Sequence, residues 1–136
     1  MNKHVQHINP DGLMKSPAFS QVVTTEGAGK TIYVGGQNAV NHKQEVIGKG
    51  DIAAQTTQVM QNVQTALRAA GADFKDVIKF GIHIVQGQNI QEAFKAAQPF
   101  MSQVGDPAAV TGVVVAGLTN PEFLIEVEAI AFVPGR

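Results

Sequence analysis

Residues 110–118 read VTGVVVAGL, a run that carries no charge on either of its two faces. β-Branched side chains at this density suit a pleated strand, and a strand that is apolar on both sides has to be covered on both sides. The rest of the chain must therefore supply two covers, and that requirement limits the fold more than any other stretch.

Helices supply one cover. Over residues 51–70, Ile52, Thr56, Val59, Met60, Val63, Leu67 and Ala70 recur at i, i+4, i+7 and i+8, which places them on one stripe. Asp51 suits the N-cap, and Gly71 stands where a left-handed C-terminal residue belongs. Residues 89–104 predict a second helix with Ile90, Phe94, Ala97 and Met101 inward; Pro99 lies late in it and predicts a kink or an early end.

The remaining segments are strands and turns. Residues 19–25 and 31–35 flank EGAGK and predict a hairpin. Residues 77–86 alternate, with Ile78, Phe80, Ile82 and Ile84 on one face and Lys79, Gly81, His83 and Val85 on the other. Residues 124–133 separate in the same way. Ile125, Val127, Ala129, Ala131 and Val133 form one face, and Leu124, Glu126, Glu128, Ile130 and Phe132 form the other. NPDG (9–12), EGAGK (26–30), GKGD (48–51) and QVGDP (103–107) punctuate these elements, without repeat or linker. The 136 residues are read as a single domain, 1–136.

Two helices can cover one face of one mixed sheet, and no element is left for the other. Charged residues are only 15% of the chain, against about 25% in an average soluble domain, so the surface has little polar cover of its own. The expectation is an α+β fold in the order β-β-β-α-β-α-β-β, with two helices on one sheet face. The open face packs against another copy of the chain. A net charge of −1 gives no electrostatic footprint for nucleic acid or an anionic membrane. There is no cysteine, no signal-peptide h-region in MNKHVQHINPDG, and no apolar run of the roughly 20 residues a membrane span needs. A soluble, cytoplasmic protein is expected.

Motifs with chemistry are few. GAGKT (27–31) is similar to the tail of a phosphate-binding loop, but TIYVGG after it is a strand where a helix is required. The Gly35-Gly36 pair offers backbone amides at a strand end, or else marks a bulge. His4, His7, His42 and His83 do not form a metal-ligand pattern, and no metal or cofactor is implied; His83 is read as a packed interface histidine. Glu126 and Glu128 lie on the sheet face away from the helices, where a carboxylate has to be paired, hydrogen-bonded or wet.

The segments PAFSQVV (17–23), TIYVGGQNAV (31–40), DIAAQTTQVMQNVQTALRAAGADFKDVIKF (51–80), PAAVTGVVVAGL (107–118) and IEVEAIA (125–131), in that order, resemble the RidA/YjgF family, also called the translation-inhibitor or endoribonuclease L-PSP family. The resemblance spans nearly the whole chain. It implies a chorismate-mutase-like homotrimer with small-molecule clefts between subunits. In deaminating members of that family a glutamate holds the water that hydrolyses a C=N bond, and a cleft arginine binds the substrate carboxylate. Carried over by position, the glutamate is Glu126, and the remaining cleft positions are Phe19, Gly35, Gly36 and Val110; the backbone amides of Gly36 and Gly112 are further candidates to hold an anion or carbonyl. Phe19 lacks the hydroxyl of the common tyrosine, and Gly35 lacks that of the family's serine. Val110 stands where the arginine is expected, and residues 107–117 hold no Arg or Lys. The resemblance thus implies a deaminase-type hydrolase acting on an imine or enamine, with weak or absent turnover of 2-imino acids. The alternative is a trimer that binds small molecules, or acts like a chaperone, without turnover. Ribonuclease activity is disfavoured, since RNA affinity rests on phosphate neutralisation.

Overall fold

The computed structural model describes residues 4–102 and 104–135. Its strands are β1 (Val5–Ile8), β2 (Val22–Thr25), β3 (Gly29–Gln37), β4 (Val77–Val85), β5 (Ala109–Val115) and β6 (Ile125–Pro134). Helix α1 (Ile52–Ala69) follows β3, a short 3-10 turn (Phe74–Asp76) leads into β4, and α2 (Ile90–Met101) joins β4 to β5. The order is the expected β-β-β-α-β-α-β-β.

Strands β3, β6, β4 and β5 form one mixed sheet in that spatial order, with β4 and β5 parallel and the other pairs antiparallel. The expected hairpin across EGAGK does not form. β2 pairs with β1 in a separate two-stranded ladder, and β3 pairs with β6. EGAGK is a corner between two sheets. Gly27 takes a positive φ there, and Gly29 lies against the Phe132 ring, which a Cβ would meet at 2.2 Å.

Helix α1 follows its sequence stripe. Ile52, Thr56, Val59, Met60, Val63 and Leu67 are all buried, Asp51 accepts a hydrogen bond from the Ala54 N–H at 3.0 Å, and Gly71 has φ +84°. Leu67 is fully buried, which contributes about 1.5–3 kcal/mol. Helix α2 turns differently from the expected phase. Ala93 is buried and Ala97, Phe100 and Met101 pack on the core, while Ile90 and Phe94 are exposed. The small side chains of Ala93 and Ala97 face inward where α2 meets α1, and that rotates the larger pair outward. Pro99 lies inside the helix, which runs on to Met101; Gln103, which the expected helix includes, lies outside the described residues.

The core lies between α1 and one face of the sheet. Val34, Phe80, Ile84, Ile125, Val127 and Ala129 all point into it. On the opposite face Phe132 is buried beside Gly29, but other side chains are left open. Tyr33 is 78% exposed and Val113 41%. Among the described residues no helix is long and apolar enough to cross a membrane.

Candidate functional site

β6 places its carboxylates by simple pleating. Ile125, Val127 and Ala129 are buried against the helix side, so Glu126 and Glu128 emerge on the open face. Each meets a glycine. A Cβ on Gly36 would stand 2.7 Å from Glu126 Cδ, and one on Gly81 would stand 2.6 Å from Glu128 Oε1. Any side chain at either position would push its carboxylate aside.

Gly35 and Gly36 owe their place to a β-bulge. The β3–β6 pairing steps from Val34↔Ala129 to Gln37↔Val127, so β3 spends one extra residue opposite Glu128. A bulge leaves main-chain groups out of the ladder and re-aims the backbone. The loop that follows is fastened on two sides. Asn62 of α1 donates to the Asn38 and Val40 carbonyls, both at 2.9 Å, and Asn38 donates to the Ile125 carbonyl at 3.4 Å.

Gln55 is a fully buried polar residue of α1 that the helical stripe did not reveal. Its amide donates to the Glu122 carbonyl at 2.8 Å and the Gly48 carbonyl at 3.2 Å, and its oxygen accepts from the Leu124 N–H at 2.9 Å. It thereby fixes the start of β6 immediately before Glu126. Asp51 and Gly48, in the GKGD cluster, were the only hint that this end of α1 is anchored.

Glu126 is half-buried and Glu128 exposed, and neither makes a hydrogen bond or ion pair among the described residues. His83 of β4 pairs in register with Glu126, and Val113 of β5 pairs with His83. Lys79 lies on the same face, its Nζ donating to Thr111 Oγ1 at 2.7 Å. A hollow of about 350 Å3 opens beside Glu128 rather than Glu126, lined by Tyr33, Gly35, Lys79, Gly81, Glu128 and Ile130. A larger hollow of about 680 Å3 lies beside β1 and contains none of the predicted site residues. There His7 Nδ1 is 2.9 Å from the Pro107 carbonyl, which ties β1 to the approach to β5.

The predicted site residues fall into two groups. Glu126, Gly35 and Gly36 lie together on β3 and β6. Phe19 is half-buried beside the start of β5, where Ser20 bridges to Ala109. Val110 pairs with Phe80 and packs on the core, so it occupies the helix-side face; Gly112 shares that face and is exposed. One chain therefore does not bring Phe19, Val110 and Gly112 to Glu126.

A mixed sheet with two helices on one face, and a glutamate on the other beside a double-glycine bulge, defines a protein of the YjgF-type fold class. Comparison with known proteins makes the assignment: residues 13–133 match the family model for endoribonuclease L-PSP, and the chain belongs to that family. A RutC family protein of Pyrococcus horikoshii is 31% identical over 114 residues, covering 84% of this chain and 86% of that protein. A 2-iminobutanoate/2-iminopropanoate deaminase of Rattus norvegicus is 36% identical over 62 residues, 46% of this chain and 43% of that one. A Rid family protein of unknown function from Yersinia pestis superimposes with a TM-score of 0.84 at 35% identity, covering 96% of this chain and 99% of that one. The YjgF gene product of E. coli gives a TM-score of 0.66 at 28% identity, over 87% of this chain and 98% of that one.

Proposed function

We propose that the chain assembles as a cytoplasmic homotrimer whose intersubunit clefts bind a small metabolite, and that Glu126 positions the water that hydrolyses a C–N bond of imine or enamine type. The observation that carries this reading is Glu126 itself. It is half-buried over Gly36 and free of hydrogen-bond partners among the described residues, at a place where a bulge frees main-chain groups. A carboxylate kept in such a place without a partner is costly unless a ligand or water completes it. The similarity to the rat deaminase supports the reaction class.

Assembly supplies what one chain lacks. The open face carries Tyr33, Val113 and Ile130, and β5 is an edge strand with Val114 58% exposed. A neighbouring copy on this face would bring its own Phe19, Val110 and Gly112 towards Glu126, completing the cleft. Val110 favours a ligand without a carboxylate, because an aliphatic side chain cannot make the bidentate contact of arginine. It also favours the second reading, binding without turnover.

The test is a metabolite screen by thermal shift, followed by turnover assays on the hits with wild type and Glu126→Gln. Hits that are turned over by wild type and not by Glu126→Gln support hydrolysis. Hits turned over equally by both proteins overturn the role given to Glu126.

A further inference from the structure

His83 carries an anomaly. Its Nδ1 is shielded from solvent yet has no hydrogen-bond partner among the described residues. The residue as a whole is half-buried on the open sheet face, between Glu126 on β6 and Val113 on β5. A neutral imidazole has one N–H and one lone pair. A buried, unpaired N–H is the more costly of the two to leave unsatisfied, so the proton belongs on Nε2. Nδ1 then keeps its lone pair in the sealed position, and Nε2–H is the group the ring presents outward.

We infer that His83 is a second ligand-contacting residue of the Glu126 site, donating from Nε2–H to an uncharged acceptor, a carbonyl oxygen or an imine nitrogen. The inference rests on the reading of Glu126 as the site carboxylate. Residues paired across antiparallel strands have Cβ atoms about 4.5–5.5 Å apart, so donor and acceptor stand side by side. Such a pair matches a ligand with an acceptor next to a donor, or next to a bound water.

Charge on this face sets the ligand class. Glu126 and Glu128 carry carboxyl groups, Lys79 donates to Thr111, and Val113, opposite His83, is aliphatic. A ligand carboxylate at the His83–Glu126 pair would meet a neighbouring carboxylate, while the Lys79 cation stands four residues along β4, roughly 13 Å away. A neutral imine, enamine or amide needs no cation.

In hydrolysis of an imine the water oxygen bonds to carbon and the C=N pair moves to nitrogen. The water proton passes through the Glu126 carboxylate to that nitrogen. The C–N bond then breaks, and the hydroxyl proton follows the same route onto the leaving amine, which leaves a carbonyl product. His83 gains and loses no proton; its N–H stabilises the nitrogen or oxygen on which electron density builds.

The experiment uses the whole protein and two stable probes of similar size, pyruvamide and pyruvate. Side-chain 15N NMR reads the His83 tautomer, and titration reads binding. The expected results are an Nε2–H tautomer, saturable shifts at His83 and Glu126 with pyruvamide, and pyruvate binding roughly tenfold weaker or worse. His83→Phe, which keeps the bulk and removes the donor, should lose roughly tenfold in pyruvamide affinity, and His83→Gln should recover part of it. An Nδ1–H tautomer overturns the inference, as do unchanged affinity in His83→Phe, tighter binding of pyruvate, and no shift with either probe. If Glu126→Gln loses pyruvamide and His83→Phe does not, only the histidine role fails. If neither variant changes binding, the Glu126 site fails with it.

Discussion

The two faces of the four-stranded sheet are made by alternate residues of the same strands, and they end in opposite conditions. On one, Val34, Phe80, Ile125, Val127 and Ala129 are buried against α1. On the other, one residue along in each case, Tyr33, Gly81, His83, Glu126 and Glu128 meet no covering element, and two carboxylates and a ring nitrogen have no partner among the described residues. The difference teaches where to look for function. The finished face explains why the chain folds, and the unfinished face holds the groups that folding does not use.

The sharpest way to break this comparison is to place the same charge on both faces. Val127→Asp buries an unpaired carboxylate in the core and should abolish the cooperative thermal transition, a loss of more than about 4 kcal/mol. Val113→Asp should keep a native circular dichroism spectrum while the mass in solution falls. A Val113→Asp protein that is unfolded, or that keeps its assembly, removes the distinction between the faces.

Next in size is the effect of the missing clamp. Hydrolysis of 2-iminobutanoate should run roughly 100- to 1000-fold slower, or slower still, than in a deaminase assayed alongside, the consequence of losing about 3–5 kcal/mol of charge-assisted contact. Ammonia release at a matching rate would show that Val110 is no handicap.

The two glutamates sharpen the comparison within the open face. Glu126→Gln should keep the melting temperature and weaken ligand binding, because its carboxylate is not used by the fold. Glu128→Gln should cost about 1–3 kcal/mol in the assembled protein, where a donor from a neighbouring copy would meet it. The reverse pattern in thermal melts and binding would exchange their roles.

The smallest effect belongs to a place remote from either face. Burial pushes the Asp73 carboxyl upward, but hydrogen bonds from the Phe74 N–H, Arg68 and Gln64 outweigh it and hold the group below its ordinary value of 3.8. A depressed carboxylate contributes stability that is present above its unfolded value and is lost as pH falls through the folded one. Melts should therefore show a slight extra loss below about pH 4 that is absent from Asp73→Asn.

Much of this was legible in the sequence. The α1 stripe, its Asp51 cap and its Gly71 terminus follow from local spacing, and the outward phase of Glu126 and Glu128 follows from strand alternation alone. What was not legible depends on partners distant in the chain. The phase of α2 is decided by how closely Ala93 and Ala97 let it approach α1, so Ile90 and Phe94, apolar as they are, stay outside. The EGAGK corner has the composition of a hairpin turn, but β2 and β3 find other partners. Gln55 sits on the buried side of α1 because carbonyls at Gly48 and Glu122 await its amide, which no periodicity reports. The bulge at Gly35-Gly36 is visible only once β6 is laid beside it.

The central claim is that the open face is closed by further copies of the chain. Sedimentation of the protein at micromolar concentration tests it most directly. The account predicts a single species of three times the 14.4 kDa chain. A stable species of one chain, with Tyr33 and Val113 left in water, would contradict it.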